Sequence, residues 1–413
     1  MIMSGRRLTT LLGLSYFATI VSVMTLPCCL SHVDQTLFSA GKLSSLIFAA
    51  TCGTVAGKFL LGVPTDKIGG QSALKLCLFS NIVLLYGIGA SQSRWVFSTL
   101  WVLVSFIYGS AWGAVGNVVR QSFEKTAWGE QLGLVAAFSR VGSFSSSFFF
   151  GWLMQRYSAS MGKESWRLVF KYAAGLQAII LAIYVLCGAA PANVNIEPEE
   201  AAVSNESAPQ LLKRVSKDSM FWAMAVGKAV LLGVGQQIGF FPLFLVTGLG
   251  FSTAAASSAS GLFAVGSLFS SLLGARLYKT LTPKQQISTV VAMNICATVF
   301  PAILALNAIK WIPPMTNALV LSVLTLWGVC WALPFYIPPG IIALKVGGKN
   351  HAALITNLYD AGGFAIAAIY SIFAMELGRV GEWFPIMVTL STFGLLSTLS
   401  MHHAMERDAS SKK

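Results

Sequence analysis

Charge is what this chain has least of. Asp, Glu, Lys and Arg make up 10% of its 413 residues, and the acids number 15 against 28 basic residues. So little charge excludes an ordinary soluble domain and a disordered polyampholyte. The four histidines, His32, His351, His402 and His403, fall near the ends of apolar runs. The seven cysteines lie inside such runs without metal-type spacing and read as small packing residues, so no metal site is expected. No glycine-rich phosphate loop, nucleophile elbow or His/Asp/Glu cluster appears, which excludes a nucleotide-driven machine and leaves an enzyme without its tools; no cofactor is expected.

What the chain has instead is oil. Hydrophobic residues make up 55% of it, and the mean hydropathy is +0.70. A helix needs about 20 apolar residues to cross a bilayer. The sequence supplies twelve such runs, near 8–30, 41–63, 73–91, 96–119, 131–154, 168–189, 220–247, 253–275, 286–308, 316–344, 352–376 and 383–403. The first run follows Arg6 and Arg7 and continues well past the length of a secretory signal, so it reads as a span.

The expected fold is an all-α membrane protein of twelve transmembrane helices. The division is a first bundle over 1–190, a linker over 191–219, a second bundle over 220–403 and a tail over 404–413. The formal charge of +13 sits in short loops between spans, where positive-inside topology explains it better than nucleic acid does. Both termini and the linker are then expected in the cytoplasm, with Asn205 of the Asn205-Glu206-Ser207 sequon unmodified. The exception is Arg156 to Lys171, which places four basic residues at the other face. A monomer in the bilayer is expected, and the sequence does not say in which membrane.

One short charged stretch interrupts the oil, GKFLLGVPTDKIGG from Gly57 to Gly70. Its small residues let helices approach, Asp66 can hold a neighbouring helix N-terminus, and Gly69-Gly70 makes a tight turn. A shift of 209 lays Gly57–Ile68 on Gly266–Leu277, with Lys67 on Arg276 but Asp66 on Ala275. A shift of 220 lays Phe138–Phe144 on Leu358–Phe364, with Arg140 on Asp360. The two similar offsets point to an internal repeat.

Gly62, Asp66, Lys67 and Gly69 occupy the signature positions of the loop between helices two and three in the major facilitator superfamily, which the whole chain resembles. Trp166-Arg167-Leu168-Val169-Phe170 before the sixth span belongs to the same resemblance. Lys58-Phe59 is similar to the organophosphate/phosphate antiporter branch, although the first span lacks that branch's arginine. Ser139-Arg140-Val141-Gly142-Ser143 looks like the fifth helix of carriers related to the lysosomal dipeptide transporter. The resemblance implies two pseudo-symmetric six-helix bundles around a central cavity and alternating access by rocking. It also implies that helix two neighbours helix eleven.

A charge near the bilayer centre costs about 2.5–3.5 kcal/mol, so each one needs a partner or a cavity. Lys58, Arg140, Lys228 and Asp360 are such charges, each about 12–15 Å from a span end at 1.5 Å per residue. Three cations against one anion favour an anionic substrate. Arg140 is the first candidate for a carboxylate or phosphate, with Lys228 beside it as a substrate or coupling residue. Gln236, Asn357 and Tyr359 are candidate neutral ligands. Lys58 and Asp360, on helices two and eleven, are expected to form an ion pair between the two bundles that acts as a gate or a proton-sensitive latch, the alternative being a purely structural pair. Arg120 is expected to anchor the cytoplasmic face or to partner Asp66. Pro334, Pro338 and Pro339 are expected to interrupt the tenth span with a bend that gates the cavity.

These residues point to a secondary-active or facilitative carrier of a small organic anion, phosphorylated or carboxylated, coupled to a proton or a counter-anion. A carrier of dipeptides or other zwitterions would use Arg140 for the carboxylate and Asp360 for the amine. A transport-inactive receptor or scaffold is the alternative of another class.

Overall fold

A computed structural model describes residues 5–38, 42–187 and 206–410. Among these the chain is helical, with long helices α1 (Gly5–Leu37), α2 (Lys42–Ile68), α3 (Gly70–Ala90), α4 (Arg94–Ser122), α5 (Trp128–Met161) and α6 (Trp166–Cys187) in its first half. A short amphipathic helix α7 (Ala208–Val215) then precedes α8 (Ser219–Gln236), α9 (Phe241–Thr247), α10 (Thr253–Phe269) and α11 (Ala275–Thr280). The last four are α12 (Pro283–Ala308), α13 (Asn317–Gly347), α14 (Ala352–Arg379) and α15 (Trp383–Ser410). Eleven stretches are long and apolar enough to cross a membrane. One of them, Lys125–Cys187, contains both α5 and α6, so the spans number twelve. Helices are the form that lets each span satisfy its own backbone in lipid.

The chain divides into two compact units, Met1–Glu206 with Ala343–Ala361, and Ser207–Ile342 with Gly362–Lys413. The end of α13 and the first third of α14 therefore group with the first half of the chain. In the first unit, a core of Phe97, Trp101, Trp166 and Phe170 packs edge to face, with ring centroids 5.6 to 6.1 Å apart. In the second unit, Phe241, Phe263, Trp327 and Trp331 make another aromatic cluster.

Three features depart from the sequence expectation. The run 191–219 contains a helix: Ser207 and Gln210 form a capping box, Pro209 occupies the first turn, and α7 buries Leu211 and Val215. The acidic part of that run, including Glu197, Glu199, Glu200 and Asn205, lies outside the described residues. At the other end, α15 continues through most of the expected tail to Ser410.

The third departure concerns where a span breaks. The tenth span is one continuous helix, α13, through Pro334, Pro338 and Pro339. The interruption falls instead in the seventh, where a 3₁₀ turn at Gln237–Phe240 separates α8 from α9. Pro242 opens α9, where its missing N–H leaves no bond unmade. Before the break the Trp331 indole N–H donates to the Leu231 carbonyl at 2.7 Å. Gly235 lies against the same indole, which a Cβ there would overlap. A side chain from another helix thus satisfies the backbone close to the break.

Candidate functional site

The site is built on the crossing of α2 and α4. Gly57 and Gly109 lie so close that a Cβ on either would overlap the other helix's backbone. Thr54 reinforces the contact by donating its hydroxyl to the Ser105 carbonyl at 3.1 Å. Close approach of backbones across small residues is how helices associate in lipid, where no hydrophobic drive separates helix from helix.

One residue after Gly57, Lys58 points into protein and is 1% exposed. Its Nζ donates to Oδ2 of Asp360 at 2.7 Å, and Asp360 is 3% exposed. Helices two and eleven are thus joined by an ion pair, but both partners belong to the first unit because the start of α14 groups there, so the pair does not link the two units as expected. An ion pair this enclosed recovers its desolvation only through its own geometry.

Two turns further along α2, Asp66 holds the start of α14. Its Oδ1 accepts the Ala353 N–H at 2.9 Å and its Oδ2 the Leu354 N–H at 2.9 Å. These are among the N–H groups that a helix start leaves without an internal acceptor, and the helix dipole favours a carboxylate there. Gly62 lies beneath, where a Cβ would press on the Leu354 Cα. Asn117 completes the arrangement: its Nδ2 donates to Asp66 Oδ1 at 2.8 Å and its Oδ1 accepts the Gly70 N–H at 2.8 Å. Gly69 makes the turn with φ of 83°, and Lys67 is exposed. Arg120, 6% exposed, lies over the Trp128 ring at 4.9 Å.

Asn117 was not marked by the sequence, although it sits three residues before Arg120 on α4. Nor was Thr356. Its hydroxyl faces Gly116, and the Asn357 carboxamide faces Gly113, in each case close to where a Cβ would stand. Asn357 is fully buried, and neither its Nδ2 nor its Oδ1 has a hydrogen-bond partner. Tyr359 is also fully buried. Arg140 lies half-buried on α5, behind Ser139 and Gly142.

In the second unit, Lys228 on α8 is 1% exposed, and its Nζ stands 5.5 Å from the centroid of Phe335. Phe335 stacks on Trp331 at 4.6 Å and meets Tyr336 edge to face at 4.7 Å. Pro334 and Pro338 are buried in the same stretch of α13. Gln236, by contrast, is exposed at the end of α8.

Twelve spans, a charged turn between the second and third, and enclosed charges on the second and eleventh define a polytopic carrier. The family model described as Major Facilitator Superfamily matches residues 8–372, and the chain belongs to that superfamily. It is a multi-pass membrane transporter and not an enzyme. No curated protein matches the sequence. Among solved structures, the Escherichia coli fucose:proton symporter FucP is similar at TM-score 0.69 and 13% identity, over 96% of this chain and 98% of that one. The proton:xylose symporter XylE is similar at 0.64 and 14%, over 96% and 94%. The human organic anion transporter MFSD10 is similar at 0.62 and 14%, over 97% and 100%.

Proposed function

We propose that this carrier moves a small organic anion, phosphorylated or carboxylated, by alternating access. The observation that carries the reading is Lys228, an enclosed ammonium held against the face of Phe335 inside a span. A cation at that depth marks a functional site, and a carboxylate or phosphate is the ligand class that charge-assisted hydrogen bonding favours there. Within the spans, Lys58, Arg140 and Lys228 stand against Asp360, and that excess of cations favours an anionic ligand. The fold relatives include both sugar symporters and an organic anion transporter; at 13–14% identity they bear on fold, and the substrate rests on this chain's own residues.

In this reading Lys58 and Asp360 form a latch, closed in the conformation described and opened in another. Opening exposes Asp360 to a proton or Lys58 to a counter-anion, which couples the cycle to a gradient or to exchange. A dipeptide carrier would offer Asp360 to the substrate's amine once the latch opens; in the conformation described its Oδ2 is held by Lys58.

Counterflow in proteoliposomes tests the proposal, with labelled sugar phosphates, dicarboxylates, neutral sugars and dipeptides. The expected result is saturable flux of an anion, reduced at least about tenfold by Lys228→Gln, in line with losing one charge-assisted contact. Flux of a neutral sugar that is insensitive to Lys228→Gln overturns the anion reading. No flux from folded protein favours the receptor or scaffold.

A further inference from the structure

The four basic residues that break the charge asymmetry, Arg156, Lys163, Arg167 and Lys171, all stand at the end of the first unit where α5 passes to α6. Among the described side chains Glu164 is an acidic neighbour, which Arg167 engages while its guanidinium also stacks on Trp166. Arg156 and Lys163 are exposed, and so is Lys171. Lys171 is the odd member, because it is five residues inside α6 rather than in the connection.

Below Lys171 runs a cleft of about 700 Å³ between α1, α5 and α6, with Lys171 as the charged residue in its lining. Its walls are apolar, with Phe17 and Val21 on α1, Phe149 on α5 and Leu176 and Ile179 on α6, and Ser145 and Ser146 on its α5 side. From Lys171 to Ile179 the cleft extends about 12 Å along α6 at 1.5 Å per residue, close to one leaflet's hydrocarbon depth of about 15 Å. Gly175 lies midway, and a Cβ there would meet nothing within 4 Å. Phe149, Trp152 and Arg156 follow one another on a single face of α5, two turns long, leading from the wall of the cleft to its charged end.

We propose that this cleft binds an anionic phospholipid from the leaflet at the Arg156–Lys171 end. An acyl chain lies in the cleft past Gly175, and the phosphate is held by Lys171 and Arg156. A lone lysine five residues into a lipid-facing helix is relieved by snorkelling towards the interface. What snorkelling does not explain is an open apolar channel beneath it and further exposed cations above it. A zwitterionic lipid fits the channel but leaves the charge unmatched; an anionic headgroup matches both.

Native mass spectrometry of the purified full chain with phosphatidylglycerol and phosphatidylcholine tests the assignment. Phosphatidylglycerol is expected to be retained about tenfold better, as two basic contacts at an interface would give. Arg156→Gln with Lys171→Gln should bring the two lipids to equal retention. Gly175→Phe should fill the channel and remove both, at an unchanged unfolding temperature; if that variant does not fold, Ser145→Phe blocks the same channel from α5. Equal retention of the two lipids by the unmodified protein overturns the proposal. So does retention that survives the plugged channel, or a dimer in lipid nanodiscs that Gly175→Phe abolishes.

Discussion

Where α2 crosses α4, Gly57 lies against the carbonyl of Phe106, and Gly109 lies against the backbone of Gly57. At the counterpart 209 residues on, Gly266 lies against the carbonyl of Thr325, and Gly328 against that of Phe263. A hydroxyl bond crosses each junction from a different position: Thr54 donates to the Ser105 carbonyl in the first unit, and Ser267, the match of Lys58, donates to the Gly328 carbonyl at 3.3 Å in the second. The chemistry laid over this shared geometry differs. Lys58 corresponds to Ser267, which is buried and neutral, and Asp66 corresponds to Ala275, 1% exposed. The second copy also passes through a π-helical turn at Ser270–Gly274 where the first stays regular. Small residues set both crossings; the buried lysine and the acid stand in the first copy only, while Lys67 has its basic match in Arg276. The first unit thus carries a rim held by Asp66 and an ion pair deeper in the span, where the matching positions of the second are the neutral Ala275 and Ser267.

The sharpest way to break this comparison is to remove one charge of the pair. Lys58→Met or Asp360→Leu alone should destabilise by about 3–5 kcal/mol, because each leaves its enclosed partner uncompensated. Ser267→Ala, the corresponding change in the second unit, should cost about 1 kcal/mol for one hydrogen bond. Denaturant unfolding of the purified protein checks both, and equal losses would mean that the two crossings are alike after all.

Next in size, Gly57→Leu and Gly266→Leu should each cost about 3 kcal/mol, since both force a side chain into the opposite backbone. Here the comparison predicts parity, and a large difference between the two would show that only one crossing is tightly closed. Asp66→Asn should cost about 1–2 kcal/mol by weakening two bonds to the N-terminus of α14. Adding the missing acid as Ala275→Asp should destabilise rather than improve the second unit, because the position is enclosed and the carboxylate would be buried there. The smallest effects belong to Lys67→Gln and Arg276→Gln. Both residues are exposed, and each change should stay within about 0.5 kcal/mol in a thermal unfolding series.

Much of this was legible because charge is so expensive in an apolar chain. Lys58 and Asp360 could be matched from their depth and opposite sign once the family resemblance put helix two beside helix eleven, and Asp66 could be assigned to a helix start from its place at the end of a span. Asn117 could not, since an amide in a span carries no such penalty and its role depends on two neighbours that only the fold brings near. The prolines of α13 leave the helix unbroken for a related reason: proline removes one N–H, and neighbouring helices can make good the loss. The break after Gln236 depends on Gly235, Pro242 and an indole from Trp331, a hundred residues further along the chain than the Leu231 carbonyl it meets. Hydropathy registers none of these. Thr356 and Asn357 were hidden likewise, because their setting is made by Gly113 and Gly116 on α4.

The central claim is that Lys58 and Asp360 act as one element. A double-mutant cycle tests it most directly, with unfolding free energies measured for the unmodified protein, Lys58→Met, Asp360→Leu and the two together. The account predicts that the double variant recovers most of what either single change loses, a coupling of about 3 kcal/mol. Losses that simply add would contradict it.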